Sequence, residues 1–271
     1  MCMSVLIVKY VHNNADTMSV MNRNTAHLLK SWGIAILLMA LIGYGVVFQA
    51  VHGDAVAIIT VAVMMTFACS IILWGRYKRL KLYREPTPDP AIQLFHRTLK
   101  RAKDGAALAA HSSAYAAILY GQYDRAREEL CAVRWSTLLP MYQGYEVHIY
   151  ALLALFQMKN AANALEFASE AKELCAANER LPGVKSSMRA LEALIDCCRL
   201  LQGTGDPECE SRLEQATRKL PGVAPAIPAW ALTTHLRQIG NSTRASEYER
   251  IVDRLTPHCA PLHEFSFPRS I

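Results

Sequence analysis

Two apolar stretches near the N-terminus decide the architecture: Trp32–Val51 (WGIAILLMALIGYGVVFQAV) and Ala55–Trp74 (AVAIITVAVMMTFACSIILW). Each has 20 residues, the length of α-helix that crosses about 30 Å of hydrocarbon. Only His52, Gly53 and Asp54 separate them, and irregular backbone finds no hydrogen-bond partner in lipid, so the helices must be antiparallel. The stretch 31–75 therefore predicts a transmembrane helical hairpin. The alternative is a pair of buried helices in a soluble core, but two such long runs rarely lack charged residues unless they span a membrane.

The flanking charges predict the orientation of the hairpin. Arg23 and Lys30 precede it and the basic segment 76–84 (RYKRLKLYR) follows it, whereas the connecting turn has no Lys or Arg. By the positive-inside rule, residues 1–30 form a cytoplasmic N-terminal tail, and both termini and the soluble domain are cytoplasmic. We expect an integral, multi-pass protein of a bacterial-type plasma or inner membrane.

The segment after the hairpin has two predicted roles. Its bases can attract anionic lipid head groups, each by about 1 kcal/mol, or they act as a topology signal and nothing more. Glu85–Pro90 (EPTPDP) then favours an extended spacer, because its alternating prolines prevent a continuous helix. Residues 76–89 are therefore predicted to be a basic juxtamembrane segment and Pro-rich linker, with these candidate head-group contacts: Arg76, Lys78, Arg79, Lys81 and Arg84.

Charge and cysteine content exclude several classes of protein. The net charge of +6 lies entirely within residues 1–84, since 21 Lys and Arg balance 21 Asp and Glu beyond that point. A neutral domain has no basic surface for phosphates, so we expect no nucleic-acid partner. The eight cysteines include no CxxC pair and lie at helical spacings, which is typical of small buried residues in a reducing compartment.

The remaining sequence predicts helices. Asp89 followed by Pro90 is a strong start signal, and the first helix should run to about Asp104 and end at Gly105. The chain then keeps a helical period with few β-branched runs. Short breaks interrupt it at Gly121, Pro140, Lys159-Asn160, Pro182-Gly183, Gly203–Gly205, Pro221–Pro228 and Gly240.

Small residues recur along this helical region. Ala126, Ala164, Cys209 and Ala245 are 38, 45 and 36 positions apart, close to the period of about 34 residues of a helix-turn-helix repeat. The motifs Gly121-x-Tyr123-x-x-Ala126-x-x-x-Leu130 and Gly240-x-x-x-x-Ala245 resemble the tetratricopeptide (TPR) repeat family over residues 107–257. The first helices lack the Trp and Gly of that family. The predicted fold is all-α: the transmembrane hairpin, an antiparallel α-α solenoid (TPR-like) over 90–257, and a C-terminal tail over 258–271.

The resemblance implies a groove for a protein or peptide partner, lined by the first helix of each pair. The predicted groove residues are His111, Tyr115, Glu146, Ile149, Phe156, Leu194, Trp230, Thr234, Arg237 and Gln238. Only Arg237 among them is basic, which argues against the carboxylate-clamp version of the family. For Tyr115, Phe156 and Trp230 the alternative is burial between helices, because aromatic side chains mostly serve cores.

No catalytic motif is present: the sequence has no GxSxG, HExxH, phosphate loop or dinucleotide fingerprint. His258, Cys259 and His263 could together bind a metal, but without a second cluster we expect an ordinary exposed segment. An enzyme would need an unforeseen site, using His96, His111 or His148 with nearby carboxylates. We therefore expect no enzyme, no cofactor, no metal and no small-molecule substrate.

The leading hypothesis is a membrane-tethered interaction module, or scaffold, that presents the helical array to a protein partner at the cytoplasmic membrane surface. The alternative is a structural or assembly subunit of a larger membrane complex, which acts through its transmembrane hairpin. Sizing the protein in mild detergent separates the two hypotheses, because the alternative requires a stoichiometric membrane assembly.

Overall fold

A computed structural model describes residue 62 and the ranges 64–70, 81–99, 104–181 and 183–268. Helices, turns and irregular segments make up these described residues, with no β-strand among them, so the all-α prediction is confirmed. The chain divides into two compact units, Met1–Lys78 with Arg101–Gly105, and Arg79–Lys100 with Ala106–Ile271.

Within Met1–Lys78 of the first unit, the described residues form a short helical stretch that includes Met65 and Phe67, whose side chains are exposed. Its hydroxyl groups bond to carbonyls one turn back: Thr66 Oγ1 donates to Ala62 O at 2.8 Å and Ser70 Oγ to Thr66 O at 2.7 Å. Over the described ranges, no helix is long and apolar enough to cross a membrane. The predicted span Trp32–Val51 and most of Ala55–Trp74 lie outside the described residues.

The second unit is built from consecutive helices that are joined by short turns. Along the chain they are α1 (Asp89–Leu99), α2 (Gly105–Leu119), α3 (Tyr123–Cys131), α4 (Pro140–Phe156), α5 (Ala161–Ala176), α6 (Val184–Gln202), α7 (Cys209–Lys219), α8 (Ala226–Gln238), α9 (Ser242–Leu255) and α10 (Ala260–His263). A 3-10 turn, Trp135–Thr137, precedes α4.

Helices α2 to α9 form four successive hairpins. Helix α4 packs on α5, α5 on α6, α6 on both α7 and α8, and α8 on α9. Two of the second helices start at an asparagine cap: the side chain of Asn160 accepts from the Asn163 N–H, and that of Asn241 from the Arg244 N–H. Gly121 and Gly240 adopt positive φ angles of 76° and 81°, which reverse the chain between paired helices.

The recurring small residues all lie inside these hairpins. Ala126, Ala164 and Cys209 are fully buried, and Ala245 is 1% exposed, each on the second helix of its pair. A side chain without bulk lets two helices approach closely, and the buried residues of the whole unit merge into one core. All four small residues picked out by their spacing are therefore buried on helices of this unit.

Helix α1 is described through Leu99, and residues 100–103, which lead to its predicted end near Asp104, lie outside the described residues. Gly105, which was predicted to stop the first helix, is the first residue of α2. Asp104 has a positive φ of 55°, a conformation that an Asp tolerates better than most residues. The chain turns just before the glycine, and the glycine itself is helical.

The Pro-rich segment expected to be an extended spacer packs against the helices. The Tyr83 side chain is buried, and the Tyr120 hydroxyl donates to the Glu85 carbonyl at 2.7 Å. Arg84 Nε donates to the Arg254 carbonyl at 3.1 Å, at the end of α9. The predicted linker 76–89 therefore contains residues that belong to the folded unit.

The predicted tail 258–271 is folded where it is described, through Pro268. Cys259 and Leu262 are fully buried, and Phe267 is 7% exposed. The ring of Pro261 lies against the turn at Gly121, where a Cβ on the glycine would be 3.5 Å from the proline Cγ. An exposed segment was the wrong prediction, because its apolar side chains cover the ends of the first and last hairpins.

Candidate functional site

The inner face of the first helices encloses an open cavity of about 380 Å³. Its walls come from α1, α2, α4 and α6, from α8 and the loop that precedes it, and from the segment before α1. The side chains that define it are His111, Ser112 and Tyr115 of α2, Tyr145 and His148 of α4, Ser187 and Leu194 of α6, Val223 and Ile227 near α8, and Tyr83 and Phe95.

Two histidines meet in the wall of this cavity. His111 Nε2 and His148 Nδ1 are 3.1 Å apart, so one ring donates a hydrogen bond to the other. Burial lowers the pKa of His111 to about 3, helped by His148, and burial lowers the pKa of His148 to about 4. Both rings are neutral at pH 7. Since they share one N–H, their other two nitrogens comprise one donor and one acceptor.

The other polar groups of the cavity are hydroxyls. The Tyr145 hydroxyl lies 3.3 Å from Ser187 Oγ, and burial raises the pKa of both Tyr115 and Tyr145. None of the described residues that line the cavity is Asp, Glu, Lys or Arg. An ionised ligand would therefore lose its hydration without gaining a counter-charge, so the cavity selects an uncharged, mainly apolar group.

The hydrogen bonds of Ser187 go to groups other than the two histidines. Its hydroxyl bonds with the Tyr145 hydroxyl and with the Gly183 carbonyl, and within the described part of the cavity no serine is bonded to His111 or His148. The aromatic rings instead stack loosely on one another, with 4.9 Å between the centroids of His111 and Tyr145.

The predicted groove residues divide into three groups. His111, Tyr115 and Leu194 line the cavity. Ile149, Phe156, Trp230 and Thr234 are at most 1% exposed and belong to the core. Their assignment to the groove was wrong, because the core between α4 and α8 needs large apolar side chains; the Phe156 and Trp230 rings are 4.8 Å apart.

The third group lies outside the cavity. Glu146 is half-buried and accepts a hydrogen bond from the Tyr150 hydroxyl, one turn further along α4. Arg237 is exposed and Gln238 half-buried at the end of α8, where both contact the segment that follows α10. This end of the predicted groove is already occupied by the chain itself.

The predicted lipid contacts are described at two positions. Lys81 and Arg84 are exposed, but Arg84 is engaged with the Arg254 carbonyl. Arg76, Lys78 and Arg79 lie outside the described residues.

The possible metal cluster does not assemble. His263 bonds to the Thr256 carbonyl through Nε2 and lies 3.3 Å from Asp253 through Nδ1, whereas Cys259 is buried and His258 exposed. Across the described ranges, no group of His, Cys, Asp and Glu side chains is arranged to hold a metal.

The sequence did not predict several cavity residues, chiefly Tyr83, Tyr145 and Ser187, and it indicated His148 only as a residue that an enzyme could use. One signal could have found the histidine pair: His111 and His148 are 37 positions apart, close to the 38 that separate Ala126 from Ala164. This similar spacing agrees with the structure, in which a nitrogen of each ring lies 3.1 Å from the other on α2 and α4. Comparisons with protein-family models, with curated proteins and with solved structures found no match to this chain.

Proposed function

We propose that this protein is a membrane-tethered interaction module whose TPR-like helical array binds a protein partner through its inner face. The observation that carries the proposal is the uncharged cavity among the first helices. Arrays of helical hairpins commonly use such concave surfaces for extended partners.

The chemistry of the cavity limits what the partner inserts. Its apolar walls fit a large uncharged side chain, and buried aromatic or aliphatic anchors supply most of the binding energy of protein interfaces. The histidine pair can satisfy one donor and one acceptor at the inner end of that anchor. A partner segment with a tyrosine or tryptophan between uncharged neighbours meets these requirements.

The membrane tether is part of the proposal, with residues 31–75 as two spans and both termini cytoplasmic. Supporting it, Met65 and Phe67 are exposed apolar side chains, and the Thr66 and Ser70 hydroxyls are bonded to carbonyls of their own helix. Hydroxyl groups that donate to carbonyls of their own helix can lie in hydrocarbon, where no water is present to bond with them. Cysteine labelling of intact cells tests the orientation: a cysteine at His52 should react with an impermeant probe and one at Thr87 should not, and the reverse pattern contradicts it.

Photo-crosslinking of the full-length protein in its native membrane tests the binding role. A photoreactive amino acid at Ser186, an exposed residue at the cavity rim, should give a discrete adduct of protein mass, and the same label at exposed Ser211 on α7 should not. Ala190→Trp, which fills the cavity, should abolish the adduct. An adduct that forms equally at both positions, or that survives Ala190→Trp, contradicts the proposal, as does a lipid adduct alone.

A further inference from the structure

The residues that follow α10 form a short segment laid along α8. Glu264 to Pro268 (EFSFP) have no regular secondary structure, yet their exposure alternates: Phe265 is half-buried and Phe267 buried, whereas Glu264, Ser266 and Pro268 are exposed. A period of two is characteristic of an extended chain with one face against a surface.

Two side chains of α8 bind the backbone of this segment. Trp230 Nε1 donates to the Glu264 carbonyl at 2.9 Å, and Gln238 Nε2 donates to the Phe267 carbonyl at 3.1 Å. Donors eight residues apart on a helix are about 12 Å apart, and carbonyls three residues apart on an extended chain about 10 Å. Because the two spacings are similar, these two donors on α8 can hold the backbone of an extended chain, whatever side chains that chain carries.

Three further contacts read the side chains. The Phe267 ring meets the Trp230 ring edge to face with 6.1 Å between centroids, and the Arg237 guanidinium lies 4.4 Å above the Phe265 ring. Lys159 Nζ pairs with Glu264 Oε2 at 3.0 Å. Ser266, between the two phenylalanines, is exposed. The three contacts therefore involve one acidic residue and two aromatic residues, and the residue between the aromatic pair makes none of them.

We propose that the outer part of α8, with Lys159, is a peptide-binding site for an extended acidic-Phe-x-Phe segment, which residues 264–268 of the chain itself occupy. A partner segment of the same chemistry takes the site by displacing them. None of the residues that hold the segment lines the cavity, so this inference stands apart from the proposed function.

The contacts are of the kind that a competing peptide can replace. Two hydrogen bonds go to backbone carbonyls that any peptide has, and the Lys159–Glu264 pair is partly exposed. A segment tethered next to its site has an effective concentration on the order of millimolar, so the occupied protein should bind added peptide poorly.

The test uses a fluorescent peptide of residues 264–271 (EFSFPRSI) and the full-length protein in detergent, with binding followed by anisotropy. A protein shortened to end at His263 should bind the peptide about tenfold or more tightly than the intact protein, because the site is empty. Ala in place of Phe267 in the peptide should weaken binding about tenfold, and Ala in place of the exposed Ser266 should change it little.

Two controls keep the test decisive. Gln238→Ala in the shortened protein should weaken binding a few-fold while leaving its circular dichroism spectrum unchanged. If the shortened protein fails to fold, Phe265→Ala/Phe267→Ala in the full-length protein should instead raise hydrogen exchange at residues 264–268 and restore peptide binding. Equal binding by intact and shortened protein overturns the proposal, and so does a released segment without binding of added peptide.

Discussion

At the scale of single residues, small side chains set how closely the hairpins pack. Ala126, Ala164 and Ala245 are buried, and the residues that precede two of them, Arg125 and Arg244, form ion pairs. Arg125 pairs with Asp89 at 2.7 Å, and Arg244 pairs with both Glu210 and Glu214. A substitution at either arginine would remove an ion pair. A control for a substitution at one of the buried alanines is therefore better placed at an exposed residue without such a pair.

Ala164→Leu should lower the thermal midpoint of the protein, because the added methyl groups have no space between α5 and its neighbours. Overpacking of this kind costs about 1 to 3 kcal/mol of stability. Each kcal/mol lowers the thermal midpoint by roughly 2 to 4 °C in a domain of this size. Ala162→Leu, two residues away on the same helix and exposed, should shift the midpoint by less than about 1 °C. Thermal circular dichroism measures both shifts. Equal shifts from the two variants would mean that a leucine fits at position 164 without overpacking.

The neutral histidine pair predicts a loss of stability on mild acidification. The pKa values of about 3 and about 4 in the folded state lie below the ordinary value of 6.5, so the unfolded chain takes up protons first as the pH falls. The pair's contribution to the free energy of unfolding is complete above pH 6.5 and declines as the pH falls toward 4. Urea unfolding at pH 7 and pH 5 should show this decline.

The control variant for the pH effect is His111→Gln/His148→Asn, which replaces both rings with neutral amides. Its free energy of unfolding should fall less between pH 7 and pH 5 than that of the natural protein. His258→Gln, at an exposed position, should leave the slope unchanged. Parallel slopes in the natural protein and the double variant would show that the pair does not stay neutral in the folded state.

At the scale of elements, one hairpin depends on a glycine inside a helix. A Cβ on Gly144 of α4 would lie 2.9 Å from the Ala171 carbonyl oxygen and 2.9 Å from Cys175 Sγ, both on α5. The carbonyl is part of a helix backbone and cannot turn aside. The Met141 N–H also donates to Asn178 Oδ1 at 3.1 Å, so the same two helices are joined where α5 ends.

Gly144→Ala should therefore destabilise the protein, although alanine is the better helix former by about 1 kcal/mol. The clash separates α4 from α5 and should outweigh that gain, with a net loss of about 1 to 2 kcal/mol. Glu170→Ala, on the exposed side of α5, reports the effect of an alanine substitution without the clash. A higher thermal midpoint for Gly144→Ala would show that the two helices can move apart at little cost.

At the scale of the whole molecule, the segment before α1 closes the second unit. Tyr83 is buried, Arg84 reaches the last residues of α9, and Tyr120 of α2 holds the Glu85 carbonyl. Tyr83 also forms part of the cavity wall. A boundary drawn at the prolines would cut through this unit, whereas the contacts within the chain place it near Arg79.

We expect a fragment that begins at residue 79 to be more stable than one that begins at residue 87. The shorter fragment loses the buried Tyr83 ring, and burying a large side chain contributes about 1.5 to 3 kcal/mol. Thermal unfolding of both fragments measures the difference, which should be several degrees. Tyr83→Ala in the longer fragment should reproduce the loss, and Lys81→Ala, at an exposed position, should not. Equal midpoints for the two fragments would return the boundary to the prolines.

The sequence by itself determined the local features of this protein. Helical periodicity predicted the all-α class, Gly and Asn signals predicted the turns at Gly121, Asn160 and Gly240, and small residues predicted where paired helices touch. These features depend on backbone conformations and side-chain volumes that each residue carries wherever it occurs.

Only the tertiary structure decided which side chains line the cavity and which lie in the core. Phe156 and Trp230 carry the same apolar surface in either role, and they are buried because their rings pack against each other and the Phe267 ring packs against Trp230. Likewise, nothing local in EPTPDP or EFSFP indicates docking, since the Tyr120 hydroxyl and the Trp230 indole that hold these segments come from distant helices. Contacts between residues far apart in the chain exist once the helices have packed, and a local pattern does not encode them.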